Sequence, residues 1–270
     1  MNRTEIAELI VAKVQSEQSS IRDAYLQSSD KIGAFTVDNL LPEELALKLY
    51  ASFPDPATMK RKKSLRENKY IAAQMNQYAA LLEEALFAFQ DSRVVSIIGQ
   101  VCSNDQLLPD ESLYAGGISL MGYQQFLNPH LDNSHDKDRN RWRVFNLLYY
   151  VTPDWKEEYG GNLELWPDGM AGKQRTIHSK FNRLAVMATH QGSWHSVSPV
   201  TFRGNRCCIS NYYFANEALK PTDKFHVTSF RGRPEQPLRD LVLTGDQILR
   251  TLVRKVFKKG VVENKHVYKK

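Results

Sequence analysis

Between residues 4 and 27, apolar side chains fall at Ile6, Leu9, Ile10, Val14 and Ile21 with polar residues between them. That spacing is near helical and predicts one amphipathic N-terminal helix. GAFTVDNLL (33–41) reads as a strand, and Pro42 opens the next helix, PEELALKLYASF, at a first turn where the missing N–H is tolerated. MKRKKSLRENK (59–69) lacks apolar periodicity and reads as a basic loop. Two further helices are expected near 75–90, on Met75, Tyr78, Leu81, Leu82, Ala85, Leu86 and Phe89, and near 93–102. From about residue 112 the pattern shortens to β-rich runs: YAGGISLMGYQQFL, WRVFNLLYYV, GNLELWPD, QRTIHS, NRLAVMATH and CCISNYYFA. Short strands separated by Gly, Pro, Asn and Asp predict an antiparallel double sheet of jelly-roll type. A polar stretch with Pro221, Pro234 and Pro237 leads to a last helix (246–258). Its Ile248, Leu249, Leu252, Val253, Val256 and Phe257 share one face, with Arg250, Arg254, Lys255 and Lys258 largely on another.

The fold class is therefore α+β, mainly β. Helices come first and strands later, but no Pro/Ser/Gly-rich linker divides them. The expectation is one domain: a supporting region 1–111, a β core 112–216, and a C-terminal loop and basic amphipathic helix 217–270. Composition, with 42% apolar and 24% charged residues, is that of a globular protein. No apolar run reaches the roughly 20 residues that span a bilayer. Glu5 and Glu8 interrupt the first apolar stretch, which argues against a signal peptide. Cys102, Cys207 and Cys208 form no even framework, so reduced thiols and a cytoplasmic location are expected. The net charge of +6 is unevenly placed: residues 250–270 hold eight Lys/Arg against one Glu, leaving a net −1 for the preceding 249 residues.

The candidate chemistry lies in His130-Leu131-Asp132, with His195 and Arg206 far downstream. In a strand, residues i and i+2 face one side, so His130 and Asp132 can point at one ion, and His195 supplies a third ligand. Two histidines and a carboxylate leave open metal positions, as non-haem Fe(II) oxygenases require. A zinc hydrolase can use the same ligand types but has no need of Arg206, which suits the far carboxylate of a 2-oxoacid. His190 is a rival to His195, but it precedes a Gln-Gly-Ser turn signal. His135, His178, His226 and His266 read as surface residues. Arg203 is a rival to Arg206, which opens an apolar strand.

YQQFLNPHLDN, LLYYVTPDWKEEYGGNLELWPDG, KFNRLAVMA and WHSVSPVTFRGNRCCISNYYF together resemble the prolyl-4-hydroxylase group of 2-oxoglutarate/Fe(II)-dependent dioxygenases. The similarity is closest to the hypoxia-inducible-factor prolyl hydroxylases and their bacterial relatives, and covers roughly 112–216. The resemblance implies a double-stranded β-helix (jelly roll, cupin-like), with His130, Asp132 and His195 as both catalytic and metal residues on Fe(II). It implies 2-oxoglutarate and O2 as co-substrates, with ascorbate as a supporting reductant. Arg206 would pair with the 2-oxoglutarate C5 carboxylate bidentately, and Tyr150 would help hold it. Tyr123 matches a tyrosine facing the iron-proximal pocket. Tyr212 stands where the hypoxia enzymes carry a tryptophan near the substrate, a departure that leaves their substrate preference open for this chain. Tyr149 and Tyr150 point to opposite faces, and Asn146 shares the Tyr150 face. Gly160-Gly161 reads as a tight turn. Retention of Asp132 favours hydroxylation over halogenation.

The implied reaction is hydroxylation of an unactivated C–H bond, first of a prolyl or proline-like substrate, alternatively of an amino acid or an acidic saccharide. A non-catalytic metal-binding β module is the reading from another class. The basic segment 59–69, through Lys62 and Arg66, is the candidate grip on an acidic substrate. No sequence-specific nucleic-acid motif is present. The last helix is expected to dock its apolar face on its own domain. Its other reading is peripheral contact with an anionic membrane.

Overall fold

The N-terminal periodicity folds as two helices rather than one, α1 (Arg3–Ser16) and α2 (Gln18–Ser28). Ser16 Oγ donates back to Lys13 O at 2.8 Å, a local bond that competes with continued helix. The computed structural model of the chain describes residues 1–114, 116–256 and 268. Pro42 precedes α3 (Glu43–Ala51), as its fixed φ favours. α4 (Ala80–Ala88) and α5 (Ser92–Val101) follow, the second capped by the Asp91 carboxylate on Arg93 N.

The strands are β1 (Ala34–Val37), β2 (Lys60–Lys63), β3 (Glu67–Ala72), β4 (Leu108–Pro109), β5 (Gly117–Met121), β6 (Phe126–Leu131) and β7 (Trp142–Tyr150). After them come β8 (Leu163–Leu165), β9 (Arg175–Ile177), β10 (Arg183–Ala188), β11 (His195–Val197), β12 (Arg206–Ala215) and β13 (Ser229–Phe230). They pair in the order β1-β10-β7-β12-β5-β3-β6-β11-β8-β9. β3 is the hinge of this path: Tyr70–Ala72 pair with β5, and Glu67 and Asn68 pair with β6. The sheet curls about that strand into a double-stranded β-helix with a large half and a small half.

Two apolar layers result. Ile6, Ile10, Leu82, Leu86 and Ile98 of the helices pack with Phe145, Tyr149 and Tyr213 on the outer face of the large half. Inside the curl, Tyr150, Ala185, Met187 and Cys208 of the large half meet Leu163 and Leu165 of the small half. Burial of this kind stabilises by about 25 cal/mol per Å² of apolar surface, and it fixes which residues are left to face the interior.

Two expectations fail here. The basic segment is no loop: β2 and β3 form a hairpin, with Lys60↔Ile71 and Lys63↔Asn68 in register. β2 pairs with β3 alone, and Lys60, Arg61 and Lys63 are exposed. A short, lysine-rich edge strand resists further pairing, so its charge hides a strand that alternation cannot reveal. The last helix, α6 (Pro237–Val256), starts nine residues before the expected 246, and among the described residues its apolar stripe is not docked: Leu238, Leu241, Val242, Ile248 and Leu249 are exposed. It is held instead by buried Leu243 and by Asp240 and Asp246, which pair with Arg231 and Arg66. The expected end of the helix, Phe257 and Lys258, lies outside the described residues, as does His266.

Candidate active site

β6 and β11 lie side by side, with His195 directly opposite His130. Asp132 follows the end of β6 by one residue. His130 and His195 make the same local bond: each Nδ1 lies 3.0 Å from the carbonyl two residues earlier, Asn128 O and Ser193 O. That bond places the ring proton on Nδ1 and leaves Nε2 bare. Both Nε2 atoms face the Asp132 carboxylate, at 3.8 Å to Oδ1 from His130 and 3.7 Å to Oδ2 from His195. All three donor atoms lie within 4.8 Å of one another. Phe230 stacks on the His130 ring at 5.2 Å and fixes its plane.

The electrostatics match a cation site. Burial and the neighbouring His195 push the His130 imidazolium down to about 3, so this ring is neutral. Burial alone would raise the Asp132 carboxyl, but His195 and Arg143 outweigh it and hold it below the usual carboxylate range. Asp132 Oδ2 is buried without a hydrogen-bond partner. An ionised oxygen left bare among aligned lone pairs is costly unless a cation completes it. The donor set therefore fits a divalent metal with open positions.

Arg206 begins β12, opposite Met121 of β5. Arg206 is 3% exposed, and its Nη2 lies 2.8 Å from Met121 Sδ. Nε has no partner, and the charge lies over the Tyr150 ring at 5.4 Å. Such a guanidinium, walled by Tyr150, Leu163 and Cys208, calls for an anion. Gly161 lets the chain close on it: a Cβ there would lie 3.4 Å from Arg206 Nε and 3.2 Å from Val200 Cγ2, at φ +68°. The glycine pair thus shapes this end of the pocket as well as the turn.

Other expected residues fall as follows. Tyr149 points outward and donates to Asn182 Oδ1 at 2.7 Å, while Tyr150 points inward. Arg203 is exposed, over the ring of Tyr123 at 5.1 Å. Tyr123 does not join the site: it is 46% exposed on the turn after β5, and Met121, two residues earlier, takes the inward position. His190 is buried but accepts from Gly192 N through Nδ1 at 3.0 Å, apart from the ligand cluster. His226, expected on the surface, is half-buried and lines a small cleft with Asp132, Arg143, Thr189 and His190. Lys62 and Arg66 each have a carboxylate already, Glu67 at 3.7 Å and Asp246 at 2.5 Å.

Residues 116–214 match the profile of the 2OG-Fe(II) oxygenase superfamily. This stretch is a 2OG-Fe(II) oxygenase core. The cofactors that belong to it are Fe(II) and 2-oxoglutarate, with O2. No curated protein matches the chain in sequence. Solved structures share the fold. A Trichoplax adhaerens prolyl hydroxylase in complex with a hypoxia-inducible-factor peptide is 20% identical, covers 74% of this chain and 92% of its own, and has a TM-score of 0.53. A Pseudomonas putida prolyl-4-hydroxylase is 19% identical over 73% of this chain and all of its own, at 0.50. A prolyl 4-hydroxylase from Phytophthora capsici is 18% identical over 94% and 80%, at 0.55.

Within the oxygenase core, one charged residue beside the triad escaped the sequence reading. Arg143 is 3% exposed, with Nη1 3.8 Å from Asp132 Oδ1 and Cζ 4.1 Å over the Tyr212 ring. Strict alternation from Tyr150 would aim Arg143 away from the interior. A register shift admits it: Tyr213 faces Phe145, but Phe214 faces Arg143. Val144 and Phe145 consequently both join the outer core, as a β-bulge allows. Lys69 was also missed. It bonds Glu67 at 3.1 Å, and its charge acts on His130 and Asp132 from β3.

Proposed function

We propose that His130, Asp132 and His195 hold Fe(II), that Arg206 and Tyr150 hold the far carboxylate of 2-oxoglutarate, and that the protein hydroxylates an unactivated C–H bond of a prolyl or proline-like substrate. The observation that carries this reading is the buried Arg206 guanidinium, unmatched at Nε, in the same β-helix interior as the three converging donors. A zinc hydrolase or a binding module has no use for it. Fe(II) with 2-oxoglutarate would, when bound, activate O2 for C–H hydroxylation, one oxygen atom going to the product and the other to succinate, with CO2 released.

The chain's part is binding and positioning. The Nδ1 bonds of His130 and His195 orient both rings, and the ionised Asp132 supplies the negative ligand. Apolar walls from Tyr150, Leu163 and Cys208 exclude water around the ion pair that Arg206 would make, which strengthens it. Tyr212 and Arg143 lie on the Asp132 side, where substrate would meet the metal. The prolyl assignment is supported by the shared fold of the three prolyl hydroxylases. The test is Fe(II)-dependent, O2-dependent succinate release with proline-containing peptides and a +16 product by mass spectrometry. Full activity of Asp132→Ala would overturn the mechanism, whatever the substrate.

A second reading, a saccharide or other polar metabolite, is favoured by the unpaired buried atoms on the Asp132 side: Arg143 Nε, Asn146 Oδ1 and Thr189 Oγ1. A prolyl ring needs few such partners, whereas a hydroxyl-rich molecule uses many. Succinate release and a +16 product with free amino acids or acidic saccharides, and none with peptides, would select it.

A further inference from the structure

The geometry points to α6 as a docking surface for an anionic lipid bilayer. Leu238, Leu241, Val242, Ile248 and Leu249 follow helical spacing on one stripe. They are 81%, 72%, 55%, 58% and 62% exposed. Amphipathic helices of globular proteins turn that stripe to their own core; here it faces out. The opposite side is anchored. Leu243 packs with Met121, Leu127 and Phe230. Asp240 accepts from Arg231 Nε at 2.6 Å and Nη2 at 2.7 Å, and from Gly232 N at 2.8 Å. Asp246 meets Arg66 at 2.5 Å and Arg250 at 3.2 Å.

Asp240 and Asp246 are the helix's two acidic residues, so both of its negative charges are tied to arginines. The sequence from 250 onward adds eight Lys/Arg against one Glu. An apolar stripe followed in sequence by a cationic stretch suits insertion at the headgroup boundary of a negatively charged leaflet. Arg66 links α6 to the β2–β3 hairpin, whose exposed Lys60, Arg61, Lys63 and Leu65 have the same character. A second copy of the chain would bring one +7 segment against another, whereas an anionic surface complements both. Among the described residues, no helix is long and apolar enough to cross a membrane, so the helix would lie on the bilayer rather than span it.

The experiment floats the full-length protein with phosphatidylcholine vesicles, with and without about 30% phosphatidylserine. The expected result is partitioning at least about tenfold stronger onto the anionic vesicles and weakened by salt. Leu241→Glu with Ile248→Glu should lower it by roughly tenfold or more, with an unchanged Tm. Both positions are exposed, so the fold tolerates the change. Absence of flotation, equal flotation with pure phosphatidylcholine, or wild-type flotation of the folded double variant each overturns the proposal. So does a concentration-dependent dimer by light scattering that the same variant abolishes, which would assign the stripe to a second copy.

Discussion

The two ends of the interior pocket are built on opposite principles. At the Arg206 end one cation lies over Tyr150 and beside Cys208, and its Nε is without a partner among the described residues. At the Asp132 end Arg143, Asn146, Thr189 and Asp132 all carry buried polar atoms without partners. A dry pocket with a single charge recognises one ligand group by one strong contact. A pocket with many orphaned groups tolerates their desolvation cost in order to read a polar molecule. The first pattern suits a fixed co-substrate, and the second suits the substrate that distinguishes this enzyme.

The most severe way to break this arrangement is to remove the carboxylate of the proposed metal triad. Asp132→Ala should reduce succinate release by at least about 10³-fold while leaving the fold intact, checked by activity and melting temperature. Next is Arg206→Leu, which would remove the two charge-assisted hydrogen bonds proposed for the 2-oxoglutarate carboxylate, about 2–4 kcal/mol together. The apparent constant for 2-oxoglutarate should rise roughly 30- to 1,000-fold, read from titration of the visible charge-transfer band under anaerobic Fe(II). Arg206→Lys should recover part of the loss, because a point charge replaces a fork. Equal 2-oxoglutarate affinity in Arg206→Leu would mean that the carboxylate is held elsewhere.

The three metal donors and Arg206 were legible in the sequence and the polar lining beside Asp132 was not, for physical reasons. His130 and Asp132 share a face by strand periodicity, His195 starts a strand, and Arg206 opens another, so simple alternation places all four. The jelly-roll class followed from the same short-strand spacing. Arg143 enters only through the bulge at Val144, which breaks the alternation the sequence reading relied on. The β2–β3 hairpin is concealed because an edge strand of lysines has no apolar partner face. Tyr123 was displaced to a turn because Met121 is the residue in register with Arg206. The helix break after Ser16 and the outward face of α6 depend on local serine bonding and on distant arginines, which no periodicity encodes.

Charge stored at the Asp132 end gives a third way to sharpen the contrast. Asp110 is 5% exposed, with Oδ2 unpaired. Burial pushes its carboxyl up to about 6 from 3.8. A folded pKa above the unfolded one means that the fold favours the protonated acid. That stability is fully present below about pH 4 and is lost as the pH rises through about 6, leaving a charged, poorly solvated group at neutrality. Two units correspond to at most about 3 kcal/mol. Asp110→Asn should therefore raise stability at pH 7 by about 2 kcal/mol and flatten its pH dependence between about 4 and 6. Chemical denaturation across that range measures both; a destabilised variant at pH 7 would show that the ionised form is the one the fold uses.

The smallest and most discriminating effect is expected at Asn146, on the inward face at the Asp132 end. It is 4% exposed, and its Oδ1 has no partner. A buried acceptor kept unmatched is a stability cost that a packing residue would not carry. Asn146→Leu, close in volume, should leave the fold unchanged or stabilise it by up to about 1 kcal/mol. If the amide is held for substrate, the same change should raise the substrate KM by roughly three- to tenfold. The 2-oxoglutarate charge-transfer titration should not move, because the proposed contact for that carboxylate is at the Arg206 end. A gain in stability together with a loss confined to substrate would mark a group reserved for the ligand. A fall in 2-oxoglutarate affinity instead would erase the division between the two ends.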